Sequence, residues 1–399
     1  MSRSLLLVVF WSVAGAVCVT LGVIIVVRVS SAIARWRVAR YQRIVRDHLT
    51  AYVVGARGDP PPPPGGRFEQ RVLRRDLVAL LPSVKGEAAT RVAEVFAASG
   101  LVEVAHRDLD ARSSLTRIRA AEALGAMRVR DAKPWLVARL HHHDPLLRLA
   151  CARALAELGA VDELPEIIAA LTGVGADPGD VVEVMLAFGP SGVPFLTEML
   201  SVGSPTDRRL AVVALGHIAS RHARPELSRA LADPDDELAA AAARALGQLG
   251  DIRATAALIA LLRDSRPWFV RVTAAGALGA LEDPAAVPAL VEELGAEDWD
   301  LRNAAARSLV ALNSDGFDVV IAAVATTSDR GIAHFAGLVD VAGRMESIVR
   351  RASGGDAAAD RFVRRACAAG VHARLDELAA GSLEVGRYAA AVLAAELAT

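Results

Sequence analysis

Three consecutive histidines, His141, His142 and His143, stand immediately before Asp144, and imidazoles beside a carboxylate are typical ligands of a transition metal. Neighbouring residues on a helix project roughly 100° apart, so three in a row do not converge on one ion. Histidine near a helix C-terminus is also favourable with the dipole, and no metal is expected here. Acidic clusters at residues 233–237 and 298–300 offer carboxylates in the same way. Both fall where a turn gives way to a helix, the position at which Asp caps free backbone N–H groups. Cys18, Cys151 and Cys367 form no CxxC pair, so neither a thiolate site nor a disulfide framework follows. GxSxG, GxxxxGK(S/T) and HExxH patterns are all missing, and with them the common hydrolase, phosphate-binding and metalloprotease arrangements. No catalytic residue, metal or cofactor is expected.

What remains is recognition chemistry. Trp268 and Trp299 lie 31 residues apart, each three residues before an arginine, Arg271 and Arg302. Large aromatics on a turn are the side chains that dominate protein interfaces, so this pair is a candidate partner-binding edge. Val184 and Val213 occupy one slot of two successive helices, and with Phe188 they suggest an apolar centre that holds a peptide or a helix.

Such residues need a periodic scaffold, and the sequence supplies one. A leucine recurs at Leu124, Leu155, Leu186, Leu215, Leu246, Leu278 and Leu309, a beat of about 31 residues. Seven residues earlier stand Arg117, Arg148, Gly179, Arg208, Ala239, Arg271 and Arg302. Prolines keep the same beat at Pro134, Pro165, Pro194, Pro225 and Pro288. A proline fits the first turn of a helix, where its missing N–H costs nothing. Each unit therefore reads as helix A, a turn, then helix B with one apolar stripe at helical spacing. One such pair cannot bury its face alone, so neighbours stack. The expected fold class is an all-α, right-handed α-solenoid of helix pairs, plus one N-terminal transmembrane helix. The third unit departs from the pattern: Gly179 takes the arginine slot and GVGADPGD (residues 173–180) fills the turn, which suggests a local hinge.

The units at Asp144-Pro145-Leu146-Leu147-Arg148 and Asp298-Trp299-Asp300-Leu301-Arg302 resemble HEAT repeats, in particular the short bacterial HEAT-like repeats first associated with phycobilisome lyases. The resemblance is clearest over residues 113–312. It implies a structural ladder between repeats, carried by the turn acids Asp144 and Asp298 and the helix-B arginines Arg148, Arg208, Arg271 and Arg302. It specifies a fold and not an activity. HEAT-like di-iron hydroxylases use His-Glu pairs, and none of the nine histidines is followed by Glu.

Ahead of the repeats, residues 5–27 run without a charge, and at ~1.5 Å per residue a helix of that length crosses a bilayer. Arg3 stands alone on one side, against Arg28, Arg35, Arg37, Arg40, Arg43 and Arg46 on the other, which places the C-terminal body in the cytoplasm. Arg35, Trp36, Arg37, Arg40 and Arg43 belong to an amphipathic helix expected on the lipid bilayer surface. Residues 59–66 (DPPPPPGG) end all helical pattern and read as a semi-rigid spacer. The expected domains are an anchor (1–28), a basic amphipathic helix (29–58), a linker (59–66) and the repeat array (67–399).

Residues 1–66 hold 8 Arg against 2 Asp, which leaves 37 basic and 44 acidic residues beyond. An acidic array excludes nucleic acid as the default partner. Taken together, the sequence predicts a scaffold or adaptor at the cytoplasmic face of the inner membrane that holds a protein partner, itself membrane-associated. The alternative, implied by the lyase resemblance, is an accessory acting on a tetrapyrrole.

Overall fold

The computed structural model describes residues 3–80, 83–84, 86–173, 175–312, 314–381 and 383–397. Among them every regular element is helical, and the chain divides into two compact units, Met1–Ala176 and Asp177–Thr399. The division falls inside the glycine-rich turn of residues 173–180.

The first unit holds α1 (Arg3–Val54), α2 (Arg67–Leu80), α3 (Glu87–Ala98), α4 (Leu101–Asp108), α5 (Ser114–Ala126), α6 (Lys133–Val137), α7 (Pro145–Glu157) and α8 (Leu164–Thr172). The second begins with α9 (Pro178–Ala187), α10 (Val193–Val202), α11 (Pro205–Ile218), α12 (Arg224–Ala230), α13 (Asp236–Leu249) and α14 (Thr255–Arg263). It continues through α15 (Trp268–Leu281), α16 (Val287–Glu293), α17 (Trp299–Ala311), α18 (Ser314–Val324) and α19 (Asp329–Val341), then closes with α20 (Met345–Ser353), α21 (Ala357–Ala368), α22 (Ala373–Ala379) and α23 (Leu383–Leu397). Helix pairs thus continue past Leu312, where the sequence beat fades.

The punctuation of the repeat is visible in each element. Pro134, Pro165, Pro194, Pro225 and Pro288 are each the second residue of a helix A, preceded by a short 3-10 turn. In several repeats helix B is capped by a side-chain oxygen: Asp144 accepts from the N–H of Leu146, Asp235 from those of Glu237 and Leu238, and Asp298 from that of Leu301. Each cap satisfies donors that the first helical turn leaves free. Within each unit, the stacking of helix on helix is that of an α-solenoid.

Adjacent B helices approach closely through glycine. A Cβ built on Gly125 would lie 2.5 Å from Ala154 Cα, on Gly247 2.9 Å from Ala277 Cα, and on Gly279 2.8 Å from Ser308 Cα. These glycines each follow a beat leucine, Leu124, Leu246 and Leu278, so the buried leucine and the close approach come as one dipeptide.

Three helix ends carry a strained residue, the first being Arg128 (φ 51°) just after α5. Ala219 (φ 53°) and Glu282 (φ 52°) end α11 and α15 in the left-handed region, where Gly250 serves after α13. A side chain there costs about 1 kcal/mol, partly offset by the greater freedom of glycine in the unfolded chain. Ala219→Gly should therefore raise stability by about 0.5 kcal/mol; a denaturation midpoint that falls instead would contradict the assignment.

The N-terminal expectations require correction. Among the described residues, no helix is long and apolar enough to cross a membrane. The uncharged run is the first half of a single 52-residue helix, α1, that continues through Arg28 to Val54. The side chains of residues 3–14 and 16–19 lie outside the described ones, and the described apolar stretch, Leu21 to Val27, is short before Arg28 interrupts it. The transmembrane helix, and with it the single-pass inner-membrane location and the cytoplasmic orientation, is overturned.

The amphipathic stripe beyond it has a different partner from the one expected. Val45, Leu49, Tyr52 and Val53 are buried, and this end of α1 packs on α2 and α3. The Tyr52 hydroxyl donates to Glu94 (2.9 Å) and Arg91 donates to the Tyr52 carbonyl (3.3 Å). Residues 55–66 carry no helix, and the His48 ring lies 3.0 Å from the Asp59 carbonyl. This end of the stripe faces protein, whereas Ile33, Trp36 and Ile44 stay exposed.

Candidate functional site

The arginine slot has a double task. Within its own repeat, each arginine bonds a carbonyl in the last turn of the preceding helix or in the turn that follows it: Arg117 to Ala111 (2.9 Å), Arg148 to His142 (3.0 Å), Arg208 to Leu200 (2.9 Å), Arg271 to Leu262 (3.0 Å) and Arg302 to Ala296 (2.6 Å). Carbonyls there lack an intrahelical partner, so the guanidinium ties the end of helix A and its turn to helix B. Three of these arginines also reach an acid of the next repeat. Arg117 pairs with Asp144 (3.0 Å), Arg208 with Asp233, and Arg271 with Glu293 through both carboxylate oxygens (2.8 Å each).

The acids differ from one repeat to the next. Asp144 takes Ser114 and Arg117 from the repeat before it, and these bonds hold its carboxyl below the usual range. Asp298 bonds the Leu301 N–H, whereas Arg271 goes to Glu293. Arg209 adds a contact with Asp235 at 2.8 Å. The pairs Arg117–Asp144, Arg208–Asp233, Arg209–Asp235 and Arg271–Glu293 bind neighbouring repeats together.

The histidine run does not converge. His141 pairs with Glu166 (3.2 Å), while the His142 ring accepts from the Asp144 N–H (3.0 Å) and packs at 4.0 Å from His143. Desolvation lowers the His142 pKa. Among the described residues, no group of three or more His, Cys, Asp or Glu is placed to hold a metal ion.

Of the recognition candidates, Trp268 and Trp299 are the first residues of α15 and α17, 52% and 57% exposed. The Trp268 ring stands edge-on to Phe269, and that of Trp299 edge-on to His334 on α19, each at 6.2 Å. The apolar centre is different. Val184 (0% exposed) and Phe188 (6%) are buried and unavailable to a partner; only Val213, at 36%, reaches the surface. At the N-terminal end, Trp36 is exposed beneath the Arg40 guanidinium (5.4 Å from the ring centre), and Arg43 is exposed. The side chains of Arg35 and Arg37 lie outside the described ones. Leu115 and Leu146 are also exposed, at the start of α5 and α7; each stands two residues before its arginine, a slot that the sequence pattern does not single out.

A family profile described as HEAT repeats matches residues 98–184, 193–277 and 258–336. Among solved structures, the chain is similar to human deoxyhypusine hydroxylase in complex with glycerol, at 22% identity over 62% of this chain and 99% of that one, with a TM-score of 0.28. It is similar to an engineered protein at 20% identity, 83% and 95% coverage and a TM-score of 0.31. A designed armadillo repeat protein gives 18% identity, 51% and 99% coverage and a TM-score of 0.34. No curated protein matches the sequence.

Proposed function

The chain belongs to the HEAT repeat family, and from that premise we propose that it is a non-enzymatic scaffold whose protein partner seats on the edge formed by Trp268 and Trp299. HEAT repeats generally mediate protein–protein interaction, and an extended stack offers the surface for it.

The observation that carries this reading is the pair of indoles, each more than half exposed, at the same slot of two consecutive and closely packed B helices. Packed helices lie about 8–10 Å apart, a separation that one short segment of a partner spans. Covering the exposed part of one indole, roughly 100 Å², stabilises a complex by about 2.5 kcal/mol at most. Tryptophan also loses little conformational entropy on contact, which is why it anchors interfaces. Val213 lies two repeats before Arg271 and is not part of this edge.

Affinity capture from the native host with Trp268→Ala/Trp299→Ala, set beside the unaltered chain, tests the reading. The proteins recovered with the unaltered chain should bind the double variant at least about tenfold more weakly, with helical content unchanged by circular dichroism. Equal recovery by the two proteins refutes it.

A further inference from the structure

An open groove of about 980 Å³ lies in the first unit, bounded by α2, α4 and α5. Its walls carry Arg71, Arg74, Arg75, Arg107 and Arg119. Two of these are occupied: Arg74 pairs with Asp108 at 2.8 Å and Arg75 with Asp76 at 3.1 Å. Arg71, Arg107 and Arg119 are exposed, and among the described residues none of the three enters an ion pair. Beyond residue 66 the chain holds 44 acidic residues against 37 basic ones, so a concentration of unpaired guanidinium groups in one concavity runs against its surroundings. Arg107 also donates from Nε to the Glu103 carbonyl (3.3 Å), so among the described residues Arg71 and Arg119 are the groove arginines without a hydrogen-bonded partner.

Between the arginines the groove has Val72, Val78 and Val104, each half-buried. Guanidinium forks recognise carboxylates in two-point fashion, and valines between them suit an apolar side chain. We propose that this groove binds an acidic segment of a protein partner, in which Asp or Glu side chains alternate with apolar ones. The site lies in a different unit from the Trp268 and Trp299 edge and stands independently of it.

A nucleic acid fits less well. Surfaces that track phosphates are continuously positive, whereas Asp108 and Glu122 both line this groove, and Glu122 has no arginine paired with it among the described residues. Glu122 would repel a phosphate and a carboxylate alike. Its removal is therefore informative about the site and not about the ligand.

The test is fluorescence polarisation on the full chain with a fluorescein-labelled peptide of alternating Glu and Leu. Micromolar binding is expected, falling as salt rises because the contacts are partly exposed. Arg71→Glu/Arg119→Glu should weaken it at least about tenfold. Glu122→Gln should strengthen it a few-fold, a gain that an unfolded variant cannot produce. Trp268→Ala/Trp299→Ala should leave peptide binding unchanged, so loss of the aromatic edge and loss of the groove are told apart. Absence of peptide binding, indifference to the charge reversal, or equally tight binding of a labelled oligothymidylate would each overturn the proposal.

Discussion

Gly279→Val should lower the stability of the second unit by about 3 kcal/mol, although the same residue lies within the last turn of α15, inside a helix, where glycine is normally a liability. Two effects compete at this position. Replacing an interior helical glycine by alanine favours the helix by up to about 1 kcal/mol. Against that, a Cβ at Gly279 would lie 2.4 Å from Ser308 Oγ and 2.8 Å from Ser308 Cα. The hydroxyl cannot swing clear without cost, since it is buried and donates to the Ala275 carbonyl at 2.9 Å. Backbone must move instead, and the clash wins.

Gly276 provides the control. It sits three residues earlier on α15, with nothing within 4 Å of an added Cβ. Gly276→Ala should therefore raise the denaturation midpoint while Gly279→Ala lowers it. Shifts of the same sign in both variants would remove the close-approach argument.

The second large effect concerns Asp251, which is 5% exposed. Its carboxylate accepts from the Arg253 backbone N–H (3.1 Å), from Arg253 Nε (2.9 Å) and from Nη2 (2.7 Å). Arg224 Nε lies 3.2 Å from its Oδ2, close enough for an ion pair but outside hydrogen-bond geometry. The Arg253 guanidinium, above all, pulls the carboxyl down to about 2, opposed by desolvation. Asp251→Ala removes the cap of the 3-10 turn at residues 252–254 and leaves the largely buried Arg224 without its counter-charge, at about 2–3 kcal/mol.

Its pH dependence has a definite sign. The folded value lies below the ordinary one of about 3.9, so the contribution is complete above pH ~4 and is lost as pH falls towards 2. Urea midpoints of the unaltered chain and of Asp251→Asn should differ by a constant amount above that range and converge below it. A gap that widened on acidification would show that the carboxylate is not the stabilising species.

Much of the repeat was legible because its signals are local. A proline at the second position of helix A and an aspartate before helix B act through their own backbone, so Pro134 or Asp235 can be placed without knowledge of any neighbour. The features that escaped are tertiary. Val184 occupies a slot that faces outward by helical phase, yet it is buried. Val45, Leu49 and Tyr52 form an apolar stripe between arginines whichever surface they meet, and the periodicity alone does not distinguish a bilayer from α2 and α3. The groove arginines come from three helices that share no sequence beat, so their convergence is invisible until the helices are packed. Gly279 was within reach, since glycine follows the beat leucine at 125, 216, 247 and 279, and the recurrence of a poor helix former at one interior position signals close contact.

That glycine contact has a consequence for size. In the second unit, Gly216 meets Ala245, Gly247 meets Ala277 and Gly279 meets Ser308, so successive B helices join through nearly the same pair of surfaces. A globular domain closes around its core and thereby fixes its own length. Here each junction presents again what the previous one consumed, and a duplicated or deleted unit of about 31 residues would find matching faces on both sides. The number of repeats is thus free to change by gene rearrangement without redesign of any interior, and the reach of the protein can grow or shrink while its packing stays the same.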